Sequence, residues 1–253
     1  MQRIIEPEWL DELPPDDPQA IASRRDLRRL NRIMGNAATL RQLLDSAPHP
    51  PRRIVELGSG DGTLMLRLAQ FFSRKWPRVE VILVDRQSAV TNETRRAFET
   101  LGWPLQTISA DIFDWLKTPA SEPADAMFAN LFLHHFRAAQ LTELFALAAR
   151  RTHLFAACEP LRAQLPLTFS RLVGLIGCNA VTRHDAVLSV RAGFAGNELS
   201  TLWPASNDWQ LREQPAQLFT HTFLAKKISC ANPHDKILAP DSPRKNFAPP
   251  DRP

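Results

Sequence analysis

The sequence predicts an α/β fold: a doubly wound, Rossmann-like sheet of seven strands, mostly parallel, with an antiparallel last strand. Three observations predict it. Short apolar runs alternate with helical patterns after residue 52, a glycine loop follows the first of these runs, and two strand-like segments end the alternation. Alternation of this kind builds a parallel sheet with helices on both faces. N-terminal helices and a helical lid complete the prediction.

Residues 1–50 predict a helical cap. Asp17 and Pro18 place an acid and a proline where a helix begins, and the apolar residues from Ile21 to Met34 follow helical spacing. A second short helix is expected at 36–46. Arginines fill the other face of the first helix. This face is either simply solvated or a surface that binds an acidic ligand or partner. They are Arg24, Arg25, Arg28, Arg29 and Arg32.

The strand and helix alternation occupies residues 51–228, which predicts one domain. Strands are predicted at 53–57, 79–84, 105–109, 124–129 and 153–158, with a closing hairpin at 208–214 and 218–226. Helices are predicted at 63–74, 89–101, 137–151 and 183–192. The apolar, helical segment 160–177 is interpreted as part of a lid insertion at 160–180, or alternatively as a core helix. The proline-rich residues 229–253 predict a disordered tail.

The loop from Gly58 to Gly62 lies between a strand and a helix. Such a loop lets the backbone approach a ligand and directs helix N-terminal amides at it, beyond the carboxyl ends of the strands. Asp85 ends the next strand, where an acid can accept hydrogen bonds from ribose hydroxyls. The glycine spacing differs from the dinucleotide pattern, and Glu56 would repel a pyrophosphate but suits a cation. A nicotinamide dehydrogenase remains an alternative at this point.

Taken in order, the motifs of residues 52–227 resemble those of class I S-adenosylmethionine-dependent methyltransferases. The loop is similar to their first motif, Asp85 to the ribose acid of their second, and residues 125–136 to the fourth motif of small-molecule members. In this family Asp111 would meet the adenine amine, Ile112 would pack on the ring, and Asn130 would lie beside the methionine. The resemblance implies S-adenosylmethionine as cofactor. It assigns cofactor binding to Glu56, Gly58, Ser59, Gly60, Gly62, Asp85, Arg86, Asp111, Ile112 and Asn130.

The candidate catalytic residues are His134 and His135, directly after the fourth predicted strand. The chain contains no tyrosine, and a histidine is a suitable base for a phenol or a carbon acid. The alternative is that they cap or pack the following helix. By analogy with family members that carry a His-His-Phe run, His135 is the better candidate. Glu159 is either an acid, base or orienting group of the pocket, or a solvated charge at the end of a strand. No metal site is predicted, since no carboxylate cluster lies near the pair in sequence.

The predicted acceptor is a small hydrophobic metabolite, for example phenolic or polyketide-like, methylated at oxygen. The fourth motif lacks the prolines typical of nucleic-acid amino-methyltransferases, which argues against a nucleic-acid partner, and the lid is apolar. Two alternatives stay open: a non-catalytic cofactor-binding protein on the same fold, and an RNA or protein methyltransferase that uses the basic helix.

Composition sets the compartment and leaves assembly open. The net charge of +4 is spread along the chain, and the three cysteines form no close pair. No signal peptide or membrane-spanning run is evident, so a cytoplasmic location is expected. The oligomeric state is not predicted.

Overall fold

The computed structural model describes residues 1–14, 16–47, 49–87, 89–119 and 122–228. The described helices are α1 (Trp9–Glu12), α2 (Pro18–Met34), α3 (Asn36–Leu44), α4 (Thr63–Phe72), α5 (Asn92–Thr100), α6 (Ile112–Lys117), α7 (Ala138–Ala149), α8 (Gln164–Leu172) and α9 (Ala180–Ala192). The strands are β1 (Arg53–Leu57), β2 (Glu80–Asp85), β3 (Leu105–Ser109), β4 (Ala126–Asn130), β5 (Leu154–Pro160), β6 (Trp209–Ala216) and β7 (Thr220–Lys227). The predicted tail at 229–253 lies outside the described residues.

The strands form one seven-stranded sheet in the order β3-β2-β1-β4-β5-β7-β6. The first five strands are parallel, and β7 pairs antiparallel with both β5 and β6. The strand order reverses between β1 and β4, which places a crevice at the carboxyl ends of these two strands. The predicted fold class is therefore confirmed, including the antiparallel last strand.

Some helix and strand boundaries differ from the prediction, because strand pairing or a capping side chain sets them. Strand β5 continues to Pro160, which pairs with Thr220, so the segment predicted to be helical from residue 160 begins as strand and α8 starts at Gln164. Helix α9 begins earlier than expected because the Asn179 side chain caps it through the N–H of Thr182. Helices α1 and α6 were not predicted.

Both faces of the sheet are covered by apolar side chains. Every residue of β4 and β5 is buried. Helix α7 packs on one face through Leu141, Leu144 and Phe145, and α3 and α4 pack on the other. A central strand buried on both faces is typical of a parallel sheet, and it gives the strand ends a fixed frame. Within the part of the chain that the structure describes, no helix is long and apolar enough to cross a bilayer.

The N-terminal helices attach to the sheet through a buried polar contact. The Asn36 side chain donates from Nδ2 to Oδ1 of Asn130 at 2.9 Å and accepts from Oγ1 of Thr220 at 2.9 Å. Helix α2 also contacts α9, where the N–H of Asn179 donates to Asp26 at 2.8 Å. Buried polar groups with satisfied partners fix relative orientation. The cap residues are thereby held beside the carboxyl ends of β4 and β5.

The first twelve residues cross the same edge of the sheet. Arg3 donates to the carbonyls of Ala192, His134 and Phe136 at 2.7–3.1 Å. The Asp185 carboxylate accepts from the N–H groups of Trp9 and Leu10 at the start of α1. These contacts fix the N-terminal segment over the crevice.

Candidate functional site

One cavity of about 1200 Å³ opens at the carboxyl ends of the strands. Ligand sites usually occupy roughly 300–1,000 Å³, so this cavity has room for more than one small molecule. All but one of the twelve predicted site residues line it, from the glycine loop through β2, α6 and β4 to the histidine pair. The exception is Gly62.

The glycine loop is shaped by positive φ angles at Gly58, Gly60 and Gly62. A Cβ at Gly58 would lie 2.2 Å from a ring carbon of Phe132, whereas a Cβ at Gly60 would meet no atom within 4 Å. At Gly62 the nearest group would be Leu83 at 2.7 Å, which places this glycine against the core of the sheet. Gly58 and Gly62 are therefore needed for close packing, and Gly60 leaves open space at the cavity wall.

Two acids lie beside the loop, and they differ in their hydrogen-bond partners. Glu56 is 2% exposed, and its Oε2 has no hydrogen-bond partner. Burial, and then the charges of Asp61 and Asp85, raise the pKa of Glu56 well above its usual value. Asp85 instead accepts from the N–H of Gly60 and of Gln87, each at 2.8 Å. A buried carboxylate oxygen without a donor, on a cavity wall, fits the ammonium group of an amino-acid ligand.

The side chains of Asp111 and Asn130 are each held in place by hydrogen bonds within the protein. Oδ1 of Asp111 caps α6 through the N–H groups of Phe113 and Asp114. The amide oxygen of Asn130 is held by Asn36. Both side chains line the cavity, as do Ile112 and Arg86.

His134 is fully enclosed between two carboxylates. Its Nδ1 is 2.8 Å from Oε2 of Glu159, and its Nε2 is 3.4 Å from Oε1 of Glu8. Burial lowers the pKa of His134, but the hydrogen bonds to Glu159 and Glu8 outweigh it and raise the pKa to about 9. Burial raises the pKa of Glu8, but the hydrogen bond and charge of His134, the charge of His135 and the hydrogen bond from Ser189 together outweigh it and lower the pKa to about 2. The raised pKa favours the imidazolium form of His134, which donates from Nδ1 to Glu159 and forms an ion pair through Nε2 with Glu8.

His135 lies beside His134 in the opposite protonation state. The two rings are 4.2 Å apart between centroids. Burial, and then the charge of His134, lower the pKa of His135. Its Nδ1 is 3.4 Å from the carboxylate of Asp11, whose own pKa is raised by burial. The arrangement thus pairs a fixed cation with a neutral imidazole on the cavity wall.

Glu8 and the two histidines form a cluster of potential metal ligands. One potential ligand atom from each of Glu8, His134 and His135 lies within 4.8 Å of the others, so these side chains could hold an ion. The sequence prediction of no metal rested on the lack of a nearby carboxylate, and Glu8 supplies one. The contacts of the His134 ring with two carboxylates are satisfied by a proton on each nitrogen, and we interpret the cluster as a proton-bearing network.

Glu8 and Asp11 were missed from the sequence. They lie 123 or more residues before the histidines, in a stretch interpreted as irregular, and no local spacing connects them. Glu159 is the orienting group of His134, the first of the two roles considered for it.

The comparisons with known proteins identify a domain and a fold. The family model described as a methyltransferase domain matches residues 54–153. No curated protein has a sequence that matches this chain.

Solved structures with the same fold share little sequence with the chain. The plantazolicin methyltransferase BpumL with bound SAH is 14% identical, with a TM-score of 0.59, over 84% of this chain and 91% of that one. The plantazolicin methyltransferase BamL, in complex with SAH and a triazolic desmethylPZN analog, is 11% identical, with a TM-score of 0.60 over 87% and 93%. An O-methyltransferase family protein from Burkholderia thailandensis is 15% identical, with a TM-score of 0.53 over 83% and 58%.

We predict that Glu56→Gln stabilises the ligand-free protein and weakens binding of S-adenosylhomocysteine, which keeps the ammonium group. A pKa raised by folding gives stability that is complete below the unfolded pKa and is lost as pH rises through the folded pKa. The variant should remove that loss, so its free energy of unfolding at pH 8 should be higher than that of the wild type by about 2 kcal/mol. Its affinity for S-adenosylhomocysteine, measured by calorimetry, should fall by about tenfold or more.

The matched control is Glu80→Gln, which removes a half-exposed carboxylate paired with Arg53. Its effect on unfolding should be within about 1 kcal/mol, with no change in affinity. Unchanged affinity of Glu56→Gln would contradict the assigned role.

We predict that Gly58→Ala abolishes detectable binding of S-adenosylhomocysteine and lowers the free energy of unfolding. The control is Gly102→Ala, which has nearly the same positive φ but no atom within 4 Å of the new Cβ. Because both variants carry the backbone cost, the difference isolates the clash with Phe132, about 2 kcal/mol. Equal unfolding free energies in urea would show that Phe132 moves freely.

Proposed function

We propose that this chain, whose residues 54–153 match the model of a methyltransferase domain, is a class I S-adenosylmethionine-dependent methyltransferase that methylates an oxygen of a small, hydrophobic acceptor. The observation that carries the proposal is that the glycine loop and the histidine pair line the same cavity. A cofactor site alone would fit a binding protein, whereas a neutral imidazole in the same cavity fits a reaction that removes a proton.

The loop end of the cavity would hold the cofactor. In this proposal Glu56 receives the ammonium group, the remaining acceptor positions of Asp85 bind the ribose, and Asp111 and Ile112 contact the adenine. Asp85 has room for this, because a carboxylate can accept about four hydrogen bonds and only those from the N–H groups of Gly60 and Gln87 are made. Ser59, Gly60, Arg86 and Asn130 complete the wall.

The opposite wall of the cavity would hold the acceptor. It is apolar, with Leu172, Val173, Leu175 and Ile176 from α8 and the 3₁₀ turn that follows, and Phe219 from the hairpin. Such a wall favours an acceptor that is largely hydrocarbon or aromatic. The O-methyltransferase among the proteins of this fold favours oxygen as the methylated atom.

In the proposed mechanism, His135 takes the proton of the acceptor hydroxyl at Nε2. When bound, the cofactor supplies a methyl group on a sulfonium, which is electrophilic. Asp11 orients His135 through Nδ1, and burial, together with the positive charge of His134, lowers the pKa of His135 and keeps it unprotonated before reaction. Glu8 and Glu159 hold His134 in place and balance its charge, so His134 is a positioning residue.

The proposal is tested by transfer of tritium from labelled S-adenosylmethionine to alkylated phenols. We expect label in phenols with a free hydroxyl and none in the matched methoxy compounds, because only the hydroxyl supplies a nucleophilic oxygen. Binding of S-adenosylhomocysteine without transfer to any acceptor would instead support a non-catalytic cofactor-binding protein. Transfer to RNA or protein, lost on replacing Arg24 and Arg25, would support the macromolecular alternative.

We predict that His135→Asn lowers the methyl-transfer rate by about a hundredfold or more and leaves the affinity for S-adenosylhomocysteine unchanged. With the wild-type protein, the rate should rise with pH through a value below 6.5 and then level, because the lowered pKa of His135 leaves it neutral above that pH. His153→Asn, at an exposed position before β5, is the control. A rate lost on chelation and restored by a divalent ion would contradict the base role.

A further inference from the structure

An exposed apolar face follows α8 and the 3₁₀ turn Val173–Ile176. Leu165, Phe169, Leu172 and Ile176 recur at helical spacing, and together with Leu175 they are 47–83% exposed. We call these five residues the apolar rim. An amphipathic helix normally turns its apolar stripe toward the core. A contiguous apolar surface that faces outward is a sign of an interaction site.

The apolar rim borders the mouth of the cavity. All of its residues except Leu165 also line the cavity. Ile33 of α2 and Leu218 of the hairpin line the cavity as well and are 61% and 57% exposed. Apolar side chains thus lie on more than one side of the opening through which an acceptor would enter.

The surroundings of the apolar rim are positively charged. Residues 160–184 contain no aspartate or glutamate. Arg171 lies within the rim segment, and the Arg183 side chain packs against Gly174. In the described ranges neither arginine forms a salt bridge. Arg29 of the arginine-rich helix, whose charge is paired with Asp26 at 2.7 Å, donates to the carbonyl of Gly177 at 3.3 Å, at the end of the 3₁₀ turn.

We propose that the apolar rim, together with Arg171 and Arg183, binds the surface of an anionic lipid membrane without spanning it. Leucine and phenylalanine side chains enter the boundary between headgroups and acyl chains, while arginines extend to anionic headgroups. In this orientation the cavity mouth faces the lipid, so a hydrophobic acceptor passes into it without crossing water. Vesicle binding requires no acceptor or cofactor, so this proposal can fail or hold separately from methyl transfer.

The same features disfavour two other occupants. A second copy of the chain across a two-fold axis would bring Arg171 and Arg183 toward their own counterparts, and like charges at an interface are unfavourable. An acidic protein would satisfy the arginines but would cover the cavity mouth and leave no path for the acceptor.

The test is co-flotation of the full chain with vesicles. Phosphatidylcholine vesicles are compared with vesicles in which part of the lipid is phosphatidylglycerol, at low and high salt. The variants are Leu165→Ser with Leu175→Ser, and Arg171→Gln with Arg183→Gln. All four side chains are exposed, so folding is checked by thermal unfolding. The matched control is Leu211→Ser with Arg212→Gln, an exposed pair on edge strand β6.

We expect the wild type and the control to bind phosphatidylglycerol vesicles, more weakly at high salt. The leucine pair should lower binding by about tenfold or more. The arginine pair should lower binding to the anionic vesicles by about twenty-fivefold and weaken the salt dependence, because each arginine near such a surface contributes about fivefold.

Three results would overturn the proposal. One is no flotation with either vesicle, or equal losses in the control. Another is a dimer by light scattering that dissociates in the leucine pair, which would assign the rim to a second copy. The third is binding to soluble polyglutamate as tightly as to vesicles and independent of the leucines, which would assign the arginines to an acidic protein.

Discussion

The carboxylate of Glu159 organises the turn on which the histidines lie. One oxygen accepts from the N–H groups of Phe132 and Leu133, and the other accepts from the N–H and Nδ1 of His134. Four donors on one buried carboxylate offset the cost of removing its charge from water. Leu131, just before the turn, has a positive φ of 49°. A backbone in this region persists only when its surroundings hold it, and here the anion does so.

The N-terminal segment completes what Glu159 begins. Its residue Glu8 contacts the second nitrogen of His134, and Asp11 contacts His135. Arg3 donates hydrogen bonds to the carbonyls of His134 and Phe136. The segment that supplies the carboxylates therefore also holds the backbone of the histidine turn in place. The site is therefore shared between two parts of the chain that are far apart in sequence. Its charge balance depends on how the first twelve residues dock.

The sequence predicted the sheet and the loop because their signals are local. β1 and β3 match their predicted bounds, because short apolar runs, and for β1 the glycines at 58–62 that follow it, mark them in the sequence itself. The contribution of Glu8 and Asp11 could not be predicted, because it arises from docking on Asp185 and on backbone carbonyls. Helix α6 is six residues long, and only its cap at Asp111 marks it. Of the predicted site, the loop side needed little tertiary information and the histidine side needed nearly all of it.

The buried carboxylates of the cavity differ in whether they have a cationic partner. Near the loop, Glu56 lacks a partner and lies in the field of Asp61 and Asp85, so a bound cation relieves the cost of burying it. Near the histidines, Glu8 and Glu159 already share the proton-bearing His134. A cationic cofactor in the same cavity adds to the effect of His134 and further opposes protonation of His135. Cofactor binding thus favours the protonation state in which His135 can accept a proton.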